Sequence, residues 1–171
     1  MNWTELIKKE IETTYPITDA LFDLVDEDRL DWKPSTGSNW MTVAQLLHHL
    51  TEACGTAMRG FVTGDWGMPT AEEMTAEELL APAEKLPAIS SVAEAKQLLA
   101  EDKKLALDML AQCSEEQLDN KQVTAPWNPN PMTLGYRLLQ MVGHLSQHKS
   151  QLFYYLKLQG KPVHTGHLWG M

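Results

Sequence analysis

MTLGYRLLQMVGHLSQHKSQLFYYLKLQG, residues 132–160, decides the fold. Leu134, Leu138, Met141, Leu145, Leu152 and Leu156 recur at the three- and four-residue spacing of a single helix face. Gly160 supplies a C-terminal stop, and Pro162 lies beyond it. The spacing predicts a helix from about Thr133 to Gln159, roughly 40 Å long at about 1.5 Å per residue. His144 and His148 stand one turn apart on it, which places both side chains on one face with Cβ atoms about 6 Å apart.

Working outward, three more segments carry helical spacing. The first runs from about Thr4 to about Glu27. Asn2-Trp3-Thr4-Glu5 fits a capping box at its start, and Ile7, Ile11, Leu21, Phe22 and Val25 give the apolar spacing. Pro16 lies inside it, so a kink or an early break is expected there. The second runs from about Val43 to about Val62, opened by the box Thr42-Val43-Ala44-Gln45 and closed by Gly64. Leu46, His49, Leu50, Ala53 and Ala57 share one of its faces. The third runs from about Val92 to about Gln112 behind the box Ser91-Val92-Ala93-Glu94. Its stripe is Ala95, Leu98, Leu99, Leu105, Leu107 and Leu110, and a short helical turn is expected at Ser114 to Leu118. No segment shows sustained period-2 alternation. The expectation is therefore an all-α four-helix bundle, with residues 1–171 forming a single domain.

Two connections are long. Residues 64–90 hold Gly64, Gly67, Pro69, Pro82 and Pro87 and the acidic pairs Glu72-Glu73 and Glu77-Glu78. A connection of this length is a crossover or a functional lid, and the charge run reads as a solvated face. Residues 119–132 include Trp127-Asn128-Pro129-Asn130-Pro131, a rigid approach to the last helix.

Composition narrows the functional classes. Hydrophobic residues make up 43% of the 171-residue chain, which is globular and long enough for a core. The net charge of −9, with a pI of about 5.1 and no basic cluster, argues against nucleic-acid binding, which needs Lys and Arg in a patch. The N-terminal MNWTELIKKEIETTYP has no apolar core of a signal peptide, and no window has the length of a membrane span. A cytoplasmic protein that binds no membrane is the expectation. The two cysteines, Cys54 and Cys113, form no CxxC pair and no disulfide framework.

The chemistry lies in the histidines: His48, His49, His144, His148, His164 and His167. Two imidazoles four residues apart on one helix are a familiar way to supply two ligands to one metal. A third ligand must come from another helix. His49 shares its face with Leu46, Ala53 and Ala57 and points inward, whereas His48 falls on the stripe of Gln45 and Glu52, toward solvent or the helix edges. Burying three imidazoles without partners costs several kcal/mol, about 2–7 kcal/mol per unpaired polar group on water-to-apolar scales, and a shared metal removes that cost. The sequence thus nominates His49, His144 and His148 as metal ligands. Three histidines leave a fourth position open for water or substrate, as in catalytic zinc sites. Imidazole suits zinc, nickel, iron or copper.

Those residues resemble the DinB-like family, also called DinB/YfiT-like metalloenzymes. The matching pieces are MTVAQLLHHLTEA at 41–53 and MTLGYRLLQMVGHLSQHKSQLFYYLKLQGKPV at 132–163. The family pattern is one histidine in the second helix and HxxxH in the last. It falls here on His49, His144 and His148, with Gln151-Leu152 and Tyr155-Leu156 after them. The resemblance implies an up-down-down-up four-helix bundle, a divalent metal ion, zinc or nickel, at the tri-His site, and a homodimer. Some members of the family resemble S-transferases or isomerases using low-molecular-weight thiols, and others are named for DNA-damage induction with no established activity. A metal-dependent transferase or hydrolase acting on a small molecule is thus one reading. A non-catalytic stress or binding protein, stabilised by its metal, is the other.

Other residues have weaker claims. Glu52, three residues from His49 on a neighbouring stripe, reads as a surface residue rather than a proton-transfer group. Cys54 lies about 140° from His49 around the helix and reads as a core thiol rather than a nucleophile. His164 and His167 sit in the tail PVHTGHLWGM, where they could reach the site or a second subunit, although an ordinary ordered tail explains them. Trp40, Trp66 and Trp127 at loop edges could line a pocket mouth or simply pack.

Overall fold

The computed structural model describes residues 2–67 and 81–171, and within them the chain is mostly helix. Asn2 caps helix α1 (Trp3–Phe22) in a complete capping box with Glu5. The helix runs through Pro16 without a break. Proline removes one helical hydrogen bond, but Tyr15, Ile17 and Thr18 beside it are buried and hold the segment in place. The helix ends at Phe22, short of the expected Glu27, and Glu27–Arg29 form a 3₁₀ turn instead.

The expected second helix is two helices. α2 (Val43–Leu50) opens with the complete Thr42–Gln45 box, and α3 (Gly55–Thr63) closes on Gly64, whose φ of 82° suits glycine. Between them Thr51 donates its hydroxyl to the His48 carbonyl at 2.7 Å, and Cys54 takes φ −124°, ψ −68°, outside the helical region. α4 (Val92–Ala111) follows. Ser91 accepts from the Glu94 amide, but the Glu94 carboxylate turns to Ser90, so only half of the expected box forms. α5 (Glu115–Asn120) has a full Ser114–Gln117 box and runs slightly longer than the turn expected there. α6 (Leu134–Leu158) matches its sequence limits within a residue, with Gly160 at φ 82° beyond its end. α7 (Thr165–Trp169) is a short C-terminal helix.

One element goes against the all-α reading. β1 (Gln122–Ala125) and β2 (Asn128–Thr133) form an antiparallel hairpin with Gln122 opposite Thr133 and Val123 opposite Met132. Pro129 and Pro131 masked it, yet proline is tolerated in an edge strand, and a two-stranded ribbon is all edge. The Glu72-Glu73 and Glu77-Glu78 pairs and Pro69 lie outside the described residues.

α1 packs on α4 and α6, α3 on α4 and α6, and α2 on α6. Ile7, Ile11, Leu46, Leu50, Leu138, Leu145 and Leu152 have no exposed surface and form the centre of the core. No helix among the described residues is long and apolar enough to cross a membrane. For the site, the consequence of this packing is that α2 and α6 lie side by side.

Candidate metal centre

His49 comes from the last turn of α2, and His144 and His148 from the middle of α6. Leu46 and Leu50 are buried, which fixes the phase of the α2 face that carries His49. Leu145 and Leu152 do the same for α6. All three imidazoles are half-buried, and one nitrogen of each lies within 4.8 Å of the others. Among the described residues they form the one group of three or more His, Cys, Asp or Glu side chains arranged to hold a metal ion.

The hydrogen bonds decide which nitrogens converge. His144 Nδ1 lies 3.1 Å from the Ala53 carbonyl, which can only accept, so Nδ1 carries the proton and Nε2 a lone pair. His148 is settled through a chain of three bonds. The Tyr155 hydroxyl donates to the Met41 carbonyl at 3.0 Å, so it accepts from the Gln151 amide nitrogen at 3.2 Å. That orients Gln151 with its oxygen toward His148 Nδ1, 3.0 Å away, and Nδ1 must donate. His148 Nε2 therefore also bears a lone pair. It faces the lone pair of His144 Nε2 at 3.1 Å, and His49 Nε2 lies 3.3 Å from His144 Nε2.

Two facing lone pairs at that distance repel unless a cation lies between them. A tetrahedral centre with metal–nitrogen bonds of about 2.0–2.1 Å separates its ligand nitrogens by about 3.3–3.4 Å. The observed 3.1 and 3.3 Å match that spacing. The donor set therefore fits a divalent ion. Burial, with the neighbouring His148, His144 and His48, pushes His49 down to about 3. Burial also lowers His148, against the opposing pull of its Gln151 hydrogen bond. Both groups thus offer unprotonated nitrogen at neutral pH, as ligation requires.

A family model described as the DinB superfamily matches residues 10–152. The chain belongs to the DinB superfamily. Among solved structures it is similar to a DinB-family protein from Exiguobacterium sibiricum 255-15. That pair shares 20% identity over 98% of each chain, with a TM-score of 0.68. A DinB-like protein from Bacillus subtilis is similar at 18% identity over 92% of this chain and 94% of its own, with a TM-score of 0.62. A structure described as Sibling Lethal Factor Precursor, DfsB, is similar at 17% identity over 92% and 97%, with a TM-score of 0.68. At these identities the three structures speak to the fold. No curated protein matches the chain.

Within this DinB fold the remaining sequence candidates separate. His48 is not part of the triad and sits 3.7 Å from the exposed Glu52 carboxylate, so Glu52 is a surface partner of His48. Cys54 has no exposed surface, and burial together with the nearby Asp102 carboxylate raises its thiol far above the range of a nucleophile. His164 caps α7, its ring centroid 4.2 Å from that of His167. Trp66 and Trp127 pack with each other and with Phe61. Trp40 packs edge-on against Tyr155, with ring centroids 6.2 Å apart. The supporting roles of Gln151 and Tyr155 were not assigned from sequence, although their spacing from His148 put them on its face. The Ala53 carbonyl had no sequence signal, because a side-chain pattern does not reveal an unpaired backbone group.

Proposed function

We propose that His49, His144 and His148 bind one divalent metal ion, zinc or nickel, through Nε2, and that the centre serves a metal-dependent transferase acting on a small thiol or an electrophile. The observation that carries the reading is the convergence of three imidazole nitrogens, two with their tautomers fixed so that lone pairs face inward. A divalent ion bound there supplies a Lewis acid able to bring the pKa of a coordinated thiol or water toward neutrality. The chain's own residues do the positioning. The Ala53 carbonyl orients His144. Gln151 orients His148 and is itself held by Tyr155, against which Trp32 packs at 5.3 Å between ring centroids. Three neutral ligands leave the full charge of a dication on the site, which favours an anionic thiolate partner over a neutral one.

The same reading includes an up-down-down-up order of the main helical units and a homodimer. It is tested on untagged protein purified without added metal. His49→Ala, His144→Ala and His148→Ala should each abolish stoichiometric metal, and His48→Ala should keep it. A small thiol added to the cobalt-substituted protein should give a new near-ultraviolet band that persists in Cys54→Ala and is lost in His148→Ala. If no thiol perturbs the cobalt spectrum, thiol transfer loses its mechanism, and a hydrolase or a non-catalytic protein stabilised by its metal takes its place.

A further inference from the structure

In an unbroken helix each carbonyl is committed to the amide four residues on. A helix running continuously from Val43 to Thr63 would claim the Ala53 carbonyl in that way. The break between α2 and α3 leaves it to accept from His144 Nδ1. The break also creates a second helix start, whose first amides need acceptors. Cys54, at the cap position, provides no side-chain acceptor.

The acceptor arrives from α4. Asp102, 4% exposed, takes the Gly55 amide at 2.9 Å, the Thr56 amide at 2.8 Å and the Thr56 hydroxyl at 3.2 Å. Tyr15 of α1 donates to the same carboxylate at 2.7 Å. The approach is close: a Cβ on Gly55 would lie 2.1 Å from the Asp102 backbone oxygen. Every one of these donors is neutral, and burial raises the Asp102 carboxyl against the opposing pull of its bonds from Gly55, Tyr15 and Thr56. Simple capping does not call for that, since a Ser or Asn at position 54 would cap α3 locally without burying a charge. What a local cap could not do is fix the 53–56 segment against α1 and α4 together.

We propose that Asp102 is a positioning residue for the metal centre. By clamping the first two amides of α3 from across the bundle, it holds the Ala53 carbonyl where His144 Nδ1 must donate, and so keeps Nε2 of His144 free for the metal. The metal half of this inference rests on the function proposed above, whereas the tautomer half does not.

Nitrogen-15 NMR of the histidine rings in metal-free protein reads the tautomers directly. Wild type should show His144 protonated at Nδ1. Asp102→Asn turns an amide group against donors it replaces an acceptor for, and should mix the His144 tautomers while His148, held by Gln151, keeps its own. Zinc affinity should fall about 10–100-fold in the same variant. Tyr15→Phe, which keeps the carboxylate but removes one of its donors, should move both readouts in the same direction by less, and it carries the test if Asp102→Asn does not fold. Leu118→Ala, a core truncation near the α5 end of the bundle, controls for general loosening. The proposal is overturned if Asp102→Asn lowers Tm yet leaves the His144 tautomer and zinc affinity as in wild type, or if Leu118→Ala shifts His144 equally. A wild type that shows the Nδ1 proton but takes no zinc would remove the metal reading and leave the clamp standing.

Discussion

Replacing Gln151 with Leu removes the acceptor of His148 Nδ1–H, a 3.0 Å bond, while keeping a side chain of similar length on the same helix face. Tyr155 is not orphaned by the change, because its hydroxyl still donates to the Met41 carbonyl at 3.0 Å. The loss therefore falls on His148 alone. Without Gln151 the ring is free to turn, and its inward Nε2 is no longer fixed as the lone-pair nitrogen. Removing such a support from a metal-bound imidazole costs about 10–100-fold in affinity, or about 1.4–2.7 kcal/mol. His148 is half-buried rather than sealed, so water can replace part of the lost bond, and the lower end, about tenfold, is expected. Competition titration of zinc against a chromophoric chelator measures it. Gln151→Glu sharpens the test, because a carboxylate is a stronger acceptor for Nδ1–H and adds negative charge near a dication. It should bind zinc at least as tightly as wild type, with Tyr155 free to turn its hydroxyl toward the new oxygen. A Gln151→Leu protein within about twofold of wild type, or a Gln151→Glu protein weaker than Gln151→Leu, would refute the orienting role.

Gly55→Ala should destabilise the fold by about 1–3 kcal/mol or more, since the new Cβ meets the Asp102 backbone oxygen at 2.1 Å; urea unfolding reads it, and an unchanged midpoint sinks the close-packing account. In metal-free protein His49 sits at about 3 against an ordinary 6.5, so the folded state takes up fewer protons than the unfolded one as pH falls. That contribution is intact above about 6.5 and is lost toward pH 3 at up to about 1.4 kcal/mol per pH unit, a slope that His49→Gln should flatten and whose persistence in that variant would contradict the assignment. Light scattering across a tenfold dilution should find a homodimer, and a mass of 19.3 kDa at every concentration would argue for a monomer.

The legible parts of the sequence were those in which one helix reports on itself. The leucine stripe of α6 gave both its limits and the shared face of His144 and His148, and the α2 stripe nominated His49, which the structure brings together with them. Illegible parts depended on distant partners. The helix start after the break at Leu50 takes its acceptor from Asp102, far along the chain and invisible in a local window of good helix formers. Pro16 suggested a kink or an early break because its cost is local, whereas the packing of Tyr15 and Ile17 that carries the helix through it is tertiary. The hairpin was too short and too proline-rich to show alternation. Asp102 itself was within reach: Ala95, Leu99, Asp102, Ala106 and Met109 are all buried at four- and three-residue steps, so an acid sat on the core stripe of α4.

The arrangement of the triad also bears on why these residues stand in a core at all. At this junction of α2 and α6, leucines would bury area at no electrostatic cost. Instead the chain places two lone pairs 3.1 Å apart, with backbone and side-chain acceptors that forbid the tautomers which would relieve them. Without an ion, a shared proton or a displacement of the rings would relieve that repulsion. A divalent ion bound by the triad would replace that repulsion with a link between the two helices. An ion that binds the folded arrangement and not the scattered histidines of the unfolded chain would stabilise the fold by about 2.7 kcal/mol at a hundredfold excess over Kd and about 4.1 kcal/mol at a thousandfold excess. On the proposed function, metal occupancy and fold stability would form one equilibrium, on which Ala53, Gln151 and Asp102 would act through the orientation of His144 and His148.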